Sequence, residues 1–208
     1  MTHAEPFWLQ APDVKLYGQE WDHISSTRGV ICLVHGYAEH IGRYEHVADY
    51  FARHGFTVFG YDLRGHGQSG GTRAHVDSFE QYINDLDLVL AQARQRHPGL
   101  PMFLYGHSLG GSQVLTYAIR RKPQIQGLIS TAPLLRLAEI PKAKAMLARV
   151  LSNIIPSLGI PYVVDINGLS RDPSISEKYI NDPLVLRVVS VRLGMELIKA
   201  GTWLLEHA

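Results

Sequence analysis

The sequence predicts an α/β protein built on a mostly parallel sheet. Two observations carry that prediction. Short, unbroken apolar runs occur at 29–34 (Gly-Val-Ile-Cys-Leu-Val), 56–61, 102–105 and 127–131, and such runs suit strands covered on both faces rather than strands with one wet side. Between them lie segments whose apolar residues recur at helical spacing, so strands and helices alternate along the chain. At 208 residues the chain is long enough to enclose a full core.

Taken in order, residues 7–22 alternate apolar and polar around Gly18, which predicts two short antiparallel strands. Val34 ends the first buried run, and His35-Gly36 follows it as a loop. Tyr44, Val47, Ala48 and Phe51 then fall at i, i+3, i+4 and i+7, a helical stripe that stops at Arg53-His54-Gly55. The run 56–61 is the next strand, and the glycine-rich segment 62–69 after it is a loop. Ser78 and Gln81 have the spacing of a capping box, and Phe79, Tyr82, Ile83, Leu86, Leu90 and Ala93 behind them form one face of a second helix. Pro98-Gly-Leu-Pro101 breaks that helix before the strand at 102–105. A helix over 113–120 and a strand over 127–131 complete the alternation.

The texture changes at Pro133. The stretch to about 164 is apolar but interrupted by Pro141, Pro156 and Pro161, and helical spacing returns only near 185–205. These features predict a lid of helices and irregular segments over the sheet. The division is therefore 1–132 for the N-terminal part of the core, 133–200 for the lid, and 201–208 for the start of a return to the core.

Composition excludes several classes of function. A net charge of +1 with no basic stripe argues against nucleic acid as a partner. Cys32, the single cysteine, sits in an apolar run and reads as a small buried hydrophobe. His35 and His40 are five apart in a loop without a third ligand nearby, so no metal or other cofactor is expected. Glu5, Asp13, Lys15, Glu20 and Asp22 interrupt the N-terminal segment where a secretory signal needs an apolar run, which points to a cytoplasmic location, peripheral to a membrane at most.

The chemistry centres on Gly106-His107-Ser108-Leu109-Gly110, a G-x-S-x-G pattern. By itself the pattern is short. Here an apolar strand precedes it and a helix follows, the context in which a serine is presented on a sharp turn. Glycines flank it because side chains would collide where such a turn is tightest. A nucleophilic serine also needs donors for the oxyanion of its tetrahedral intermediate. The backbone N–H of Leu109, just after the serine, is one candidate, and the N–H of Tyr37 in the loop His35-Gly36-Tyr37 is the other.

Several longer segments show a resemblance to a known family. They are His35-Gly36-Tyr-Ala-Glu39-His40-x-x-Arg43-Tyr44, Asp62-x-Arg64-Gly65-His66-Gly67-x-Ser69-x-Gly71 and Gly106-His107-Ser108-Leu109-Gly110-Gly111, with Ser170-Arg171-Asp172 and Asn181-Asp182-Pro183-Leu184 later in the chain. In this order they resemble the monoacylglycerol lipases of the α/β-hydrolase superfamily, in the group also called serine aminopeptidase S33 or lysophospholipase-like hydrolases. The resemblance implies the α/β-hydrolase fold, no cofactor, and acyl transfer through Ser108 on a single-chain acyl ester. Lysophospholipase, carboxylesterase and peptidase activities are the alternatives on the same fold. A serine at the turn excludes the branches that carry aspartate there. The apolar stretch 145–164 suits an acyl groove or contact with a membrane surface, although packing of lid on core is the simpler account of single residues such as Leu147 or Ile154.

In this superfamily the acid and the histidine that activate the serine follow it in the chain. After Ser108 the only histidine is His207, and the aspartates are Asp165, Asp172 and Asp182, all in or before the lid. The expectation is therefore that the closing strands with the triad Asp and His are missing. Activity of the chain is then doubtful, and an inactive homologue that binds acyl lipid or a partner is the alternative. The strand at 127–131 should then offer an apolar edge open to self-association.

Overall fold

The computed structural model describes residues 2–23, 27–136, 141–162, 168 and 170–207. The first two strands, β1 (Thr2–Gln10) and β2 (Lys15–His23), pair antiparallel from Thr2↔His23 to Gln10↔Lys15. They extend beyond the alternating stretch 7–22. Gly18 lies inside β2 opposite Phe7, where the absence of a side chain leaves room for the Phe7 ring to stack on Phe59 at 4.3 Å.

The buried runs become strands as expected. β3 (Val30–Val34) is followed by a 3₁₀ turn (Ile41–Tyr44), α1 (Glu45–Arg53) and β4 (Thr57–Tyr61). Next come α2 (Phe79–Arg96), β5 (Met102–His107), α3 (Leu109–Arg121) and β6 (Gly127–Thr131). The six-stranded sheet has the order β1-β2-β4-β3-β5-β6, parallel from β4 to β6. Every residue of β3 and β4 is buried, because helices cover both faces. Ile31 and Leu33 face a cluster with Ala48 of α1, while Cys32 and Val34 face the larger core with Tyr82, Leu86 and Leu90 of α2 and Val114 of α3. Each fully buried leucine there contributes roughly 1.5–3 kcal/mol. Among the described residues β6 is an edge strand, and its Ile129 is 43% exposed.

The start of α2 differs from the predicted box in one bond. Ser78 Oγ accepts from Glu80 N–H at 3.2 Å, but Gln81 Oε1 accepts from Asp77 N–H at 2.8 Å rather than from Ser78. The glutamine reaches one residue further back and closes the preceding turn. α3 starts at Leu109, directly at the serine, four residues before the stretch its apolar spacing marks.

The segment expected to form a lid holds α4 (Lys142–Ile154), β7 (Gly159–Pro161), α5 (Pro173–Asn181) and β8 (Val188–Ser190). β7 and β8 form a small antiparallel ladder too short to show a period in sequence. α6 (Val191–His207) runs unbroken through residue 200, and Leu193, Leu197 and Ala200 already belong to the main core. Leu147 and Ile154 are not packed on the core: they are 58% and 70% exposed, with Met146 at 72%, on one open face of α4.

Candidate active site

Ser108 occupies the turn between β5 and α3 with φ 52° and ψ −115°, a conformation that costs a non-glycine residue about 1–3 kcal/mol. The surrounding bonds hold it there. Ser108 N–H donates to Thr131 C=O at 2.9 Å, and Ser108 C=O accepts from Ser112 and Leu134 N–H, each at 3.1 Å. The flanking glycines allow close approach. A Cβ at Gly106 would lie 2.2 Å from Gly110 C=O, and one at Gly110 would lie 2.2 Å from Val34 C=O. Among the described residues Ser108 Oγ has no hydrogen-bond partner.

The register Val34↔Gly106 sets the loops after β3 and β5 side by side at one end of the sheet. A Cβ on Gly36 would stand 3.2 Å from Ser108 Cβ, so loop and turn are in contact. Glu39 shapes this loop: its Oε1 accepts from Gly36 N–H at 2.7 Å and from Tyr44 Oη–H at 2.6 Å. His35 shapes it from the other side. Its Nδ1–H donates to Gly36 C=O at 2.7 Å and its Nε2 accepts from Leu63 N–H at 2.9 Å. Gly36 C=O and Tyr37 N–H belong to one trans peptide plane and point in opposite directions. By holding the carbonyl, His35 therefore orients the Tyr37 N–H. That N–H and the N–H of Leu109, at the first position of α3, have no partner among the described residues.

None of the eleven histidines is hydrogen-bonded to Ser108. His35 has both ring nitrogens engaged, and complete burial, helped by nearby His66, holds its pKa well below the usual histidine value. His66 is buried too, at a pKa of about 4, with Nδ1–H on Arg64 C=O at 3.1 Å. His107 lies beside Thr131 Oγ1 at 3.0 Å, on the neighbouring strand. His40 Nε2–H donates to Asp182 Oδ2 at 2.8 Å. His207 is exposed, stacked on Trp203 and bonded to its carbonyl at 2.8 Å.

The acids are also engaged elsewhere. Asp172 caps α5, accepting from Ser174 N–H at 2.9 Å. Asp182, just after α5, is bonded to His40; burial opposes its ionisation, yet the bonds from His40 and Leu184 N–H and the charge of Arg43 keep its carboxyl below the usual range. Asp165 lies outside the described residues. A cleft of about 680 Å³ between α1 and α5 is lined by His40, Arg43, Lys178 and Asp182, and Ser108 is not part of its wall. Sequence reasoning placed Glu39 in the segment that resembles the family but gave it no role. Its position three residues after Gly36 is the signal for that role, a carboxylate within reach of the loop amide.

A serine strained at a strand–helix turn, on a mostly parallel sheet flanked by helices, defines an α/β-hydrolase. A monoacylglycerol lipase from Paleococcus ferrophilus superposes with a TM-score of 0.82 and 35% identity, over 93% of this chain and 72% of that one. The family model described as serine aminopeptidase, S33, matches residues 25–208, and the chain belongs to that family. It is 34% identical over 186 residues to a monoacylglycerol lipase from Mycolicibacterium smegmatis, covering 88% of this chain and 66% of that protein. It is 36% identical over 172 residues to phospholipase YtpA of Bacillus subtilis, covering 82% of this chain and 66% of that protein. The chain thus spans about two thirds of the length of these curated relatives.

Proposed function

We propose that this chain carries the nucleophile and oxyanion donors of a serine esterase acting on monoacylglycerols or similar single-chain acyl esters. The observation that carries the reading is Ser108 itself, held at φ 52° with a hydroxyl unpartnered among the described residues and the Gly36 loop against its Cβ. In this reading Ser108 Oγ attacks the ester carbonyl and gives its proton to a base. The N–H groups of Tyr37 and Leu109 bind the oxyanion. The bond from carbonyl carbon to the alcohol oxygen then breaks, and the departing alkoxide takes up the proton. Water cleaves the acyl-enzyme in the reverse manner and frees the fatty acid. Gly36, Gly106 and Gly110 permit the close packing, His35 aligns the Tyr37 amide, and His107 supports the turn through Thr131.

The glycerol-ester preference rests on the monoacylglycerol lipases among the relatives, and the phospholipase relative makes a lysophospholipid head group the nearest rival. The open apolar face of α4, with Met146, Leu147 and Ile154, supports peripheral contact with a lipid surface. No helix among the described residues is long and apolar enough to cross a membrane.

A second reading has its own support. With no histidine bonded to Ser108, the chain would bind acyl lipid without turning it over. Fluorophosphonate labelling of the 208-residue chain and of S108A, beside turnover of glycerol esters, lysophospholipids and peptide amides, separates the readings. Labelling lost in S108A, with glycerol esters the best substrates, supports the esterase. Absent labelling in the unaltered chain leaves the binding reading. Turnover of this chain should be low, because loss of the base alone costs on the order of 10⁶ in a serine hydrolase.

A further inference from the structure

The loop that holds Tyr37 is bound on its outer side by the lid. His40 Nε2–H donates to Asp182, Leu186 N–H donates to Ala38 C=O at 2.8 Å, and Tyr37 Oη–H donates to Val188 C=O at 2.5 Å. The stretch 182–188, a turn that leads into β8, is thus stitched to three residues of one loop, Tyr37, Ala38 and His40. A second loop joins it where Ser190 N–H donates to Ala74 C=O at 3.0 Å. Both receiving residues are alanines in the left-handed region, Ala38 at φ 67° and Ala74 at φ 57°, and both are buried. Left-handed backbone at a residue with a Cβ persists only where neighbours over-determine it. Here the neighbours are lid residues: Ala38, Ala74 and Leu186 form one small apolar cluster, with Tyr37 and Tyr162 packed against it.

Tyr37 is central to this seam. Its ring meets Tyr162 of the lid edge-on at 4.8 Å and His66 of the core at 5.4 Å. Its hydroxyl reaches β8, and its own amide is the N–H that His35 aligns through Gly36 C=O. We propose that Tyr37 is a positioning residue: its phenol ties the lid's returning strand to the loop, so that the seating of the lid sets the direction of the Tyr37 N–H. The oxyanion part of this inference rests on the esterase reading above; the link between lid and loop does not.

The variant Y37F removes the hydroxyl and keeps the ring. Two measurements on the full chain test the link. In fluorophosphonate inactivation, Y37F should lower the limiting inactivation rate about tenfold, less than the 10²–10³ seen when a donor is lost outright, with half-saturation unchanged. In hydrogen exchange, the Leu186 and Ser190 amides of Y37F should exchange faster than in the unaltered chain, while amides of β3 and β5 keep their protection. Equal inactivation rates, or a fall that comes with lost protection in β3 and β5, would overturn the proposal. If the unaltered chain does not label at all, the nucleophile reading fails by itself. The exchange result then decides the seam: faster exchange at Leu186 upholds it, and unchanged exchange ends it.

Discussion

Ser108 and Gly have different claims on the same backbone. At φ 52° a serine is strained and a glycine is not. S108G should therefore raise the unfolding free energy by about 1 kcal/mol and abolish labelling, whereas S108A should abolish labelling with the strain retained. Denaturant titration of the two variants checks this; equal stabilities would mean the turn is relaxed. The buried histidines make a second prediction at this scale. Burial lowers His66 from 6.5 to about 4, so between those values the unfolded chain binds a proton that the folded chain does not. The stabilisation is complete above pH 6.5 and is lost as the pH falls toward 4, amounting to about 3 kcal/mol for the full shift. His35 acts in the same direction. Unfolding midpoints followed from neutral pH down to 4 should drop steeply in the unaltered chain and less steeply in H66Q.

Two helical glycines test what packing adds to propensity. Gly110 opens α3 where it crosses the end of β3, and a Cβ there would lie 2.2 Å from Val34 C=O and 2.6 Å from His35 C=O. G110A must push helix from strand, so it should cost about 3 kcal/mol or more and remove labelling of Ser108. Gly194 lies in the first turns of α6 with nothing within 4 Å of an added Cβ, and G194A should stabilise by roughly 0.5–1 kcal/mol. Thermal unfolding of both variants reads out the two signs. The elements themselves were largely legible. β3 and β4 follow their apolar runs because central strands covered on both faces need no polar face, β6 follows its run although it lies at the edge among the described residues, and α2 follows its periodic stripe. The β7–β8 ladder was not, since three residues with a proline carry no period, and its pairing partners lie some thirty residues apart.

For the whole molecule, the question is what the open face of α4 touches. Met146, Leu147, Val150 and Ile154 share the open face of α4. A core-facing helix would bury that stripe, so the amphipathic pattern alone misassigned its partner. If the face meets a lipid surface, replacing Met146 and Ile154 by aspartate should weaken binding to phospholipid vesicles by about tenfold or more without lowering the unfolding midpoint. Co-sedimentation measures the first and calorimetry the second; equal binding by both forms would remove the membrane contact from the proposal. Fold stability should be indifferent to those two substitutions because neither side chain has a core contact to lose.

The order of strands and helices, the loop His35-Gly36-Tyr37 and the turn around Ser108 are local properties, set by burial periodicity and by glycines spaced along a few consecutive residues. They could be read from the chain alone. Which histidines are occupied could not. His35 owes its neutral tautomer to Leu63 and Gly36, His40 is claimed by Asp182 from the lid, and the Gly36 amide is claimed by Glu39. Hydrogen-bond partners distant in sequence leave no period or motif behind. They are assigned only when the register Val34↔Gly106 brings the loops together and the stretch 182–190 closes over them.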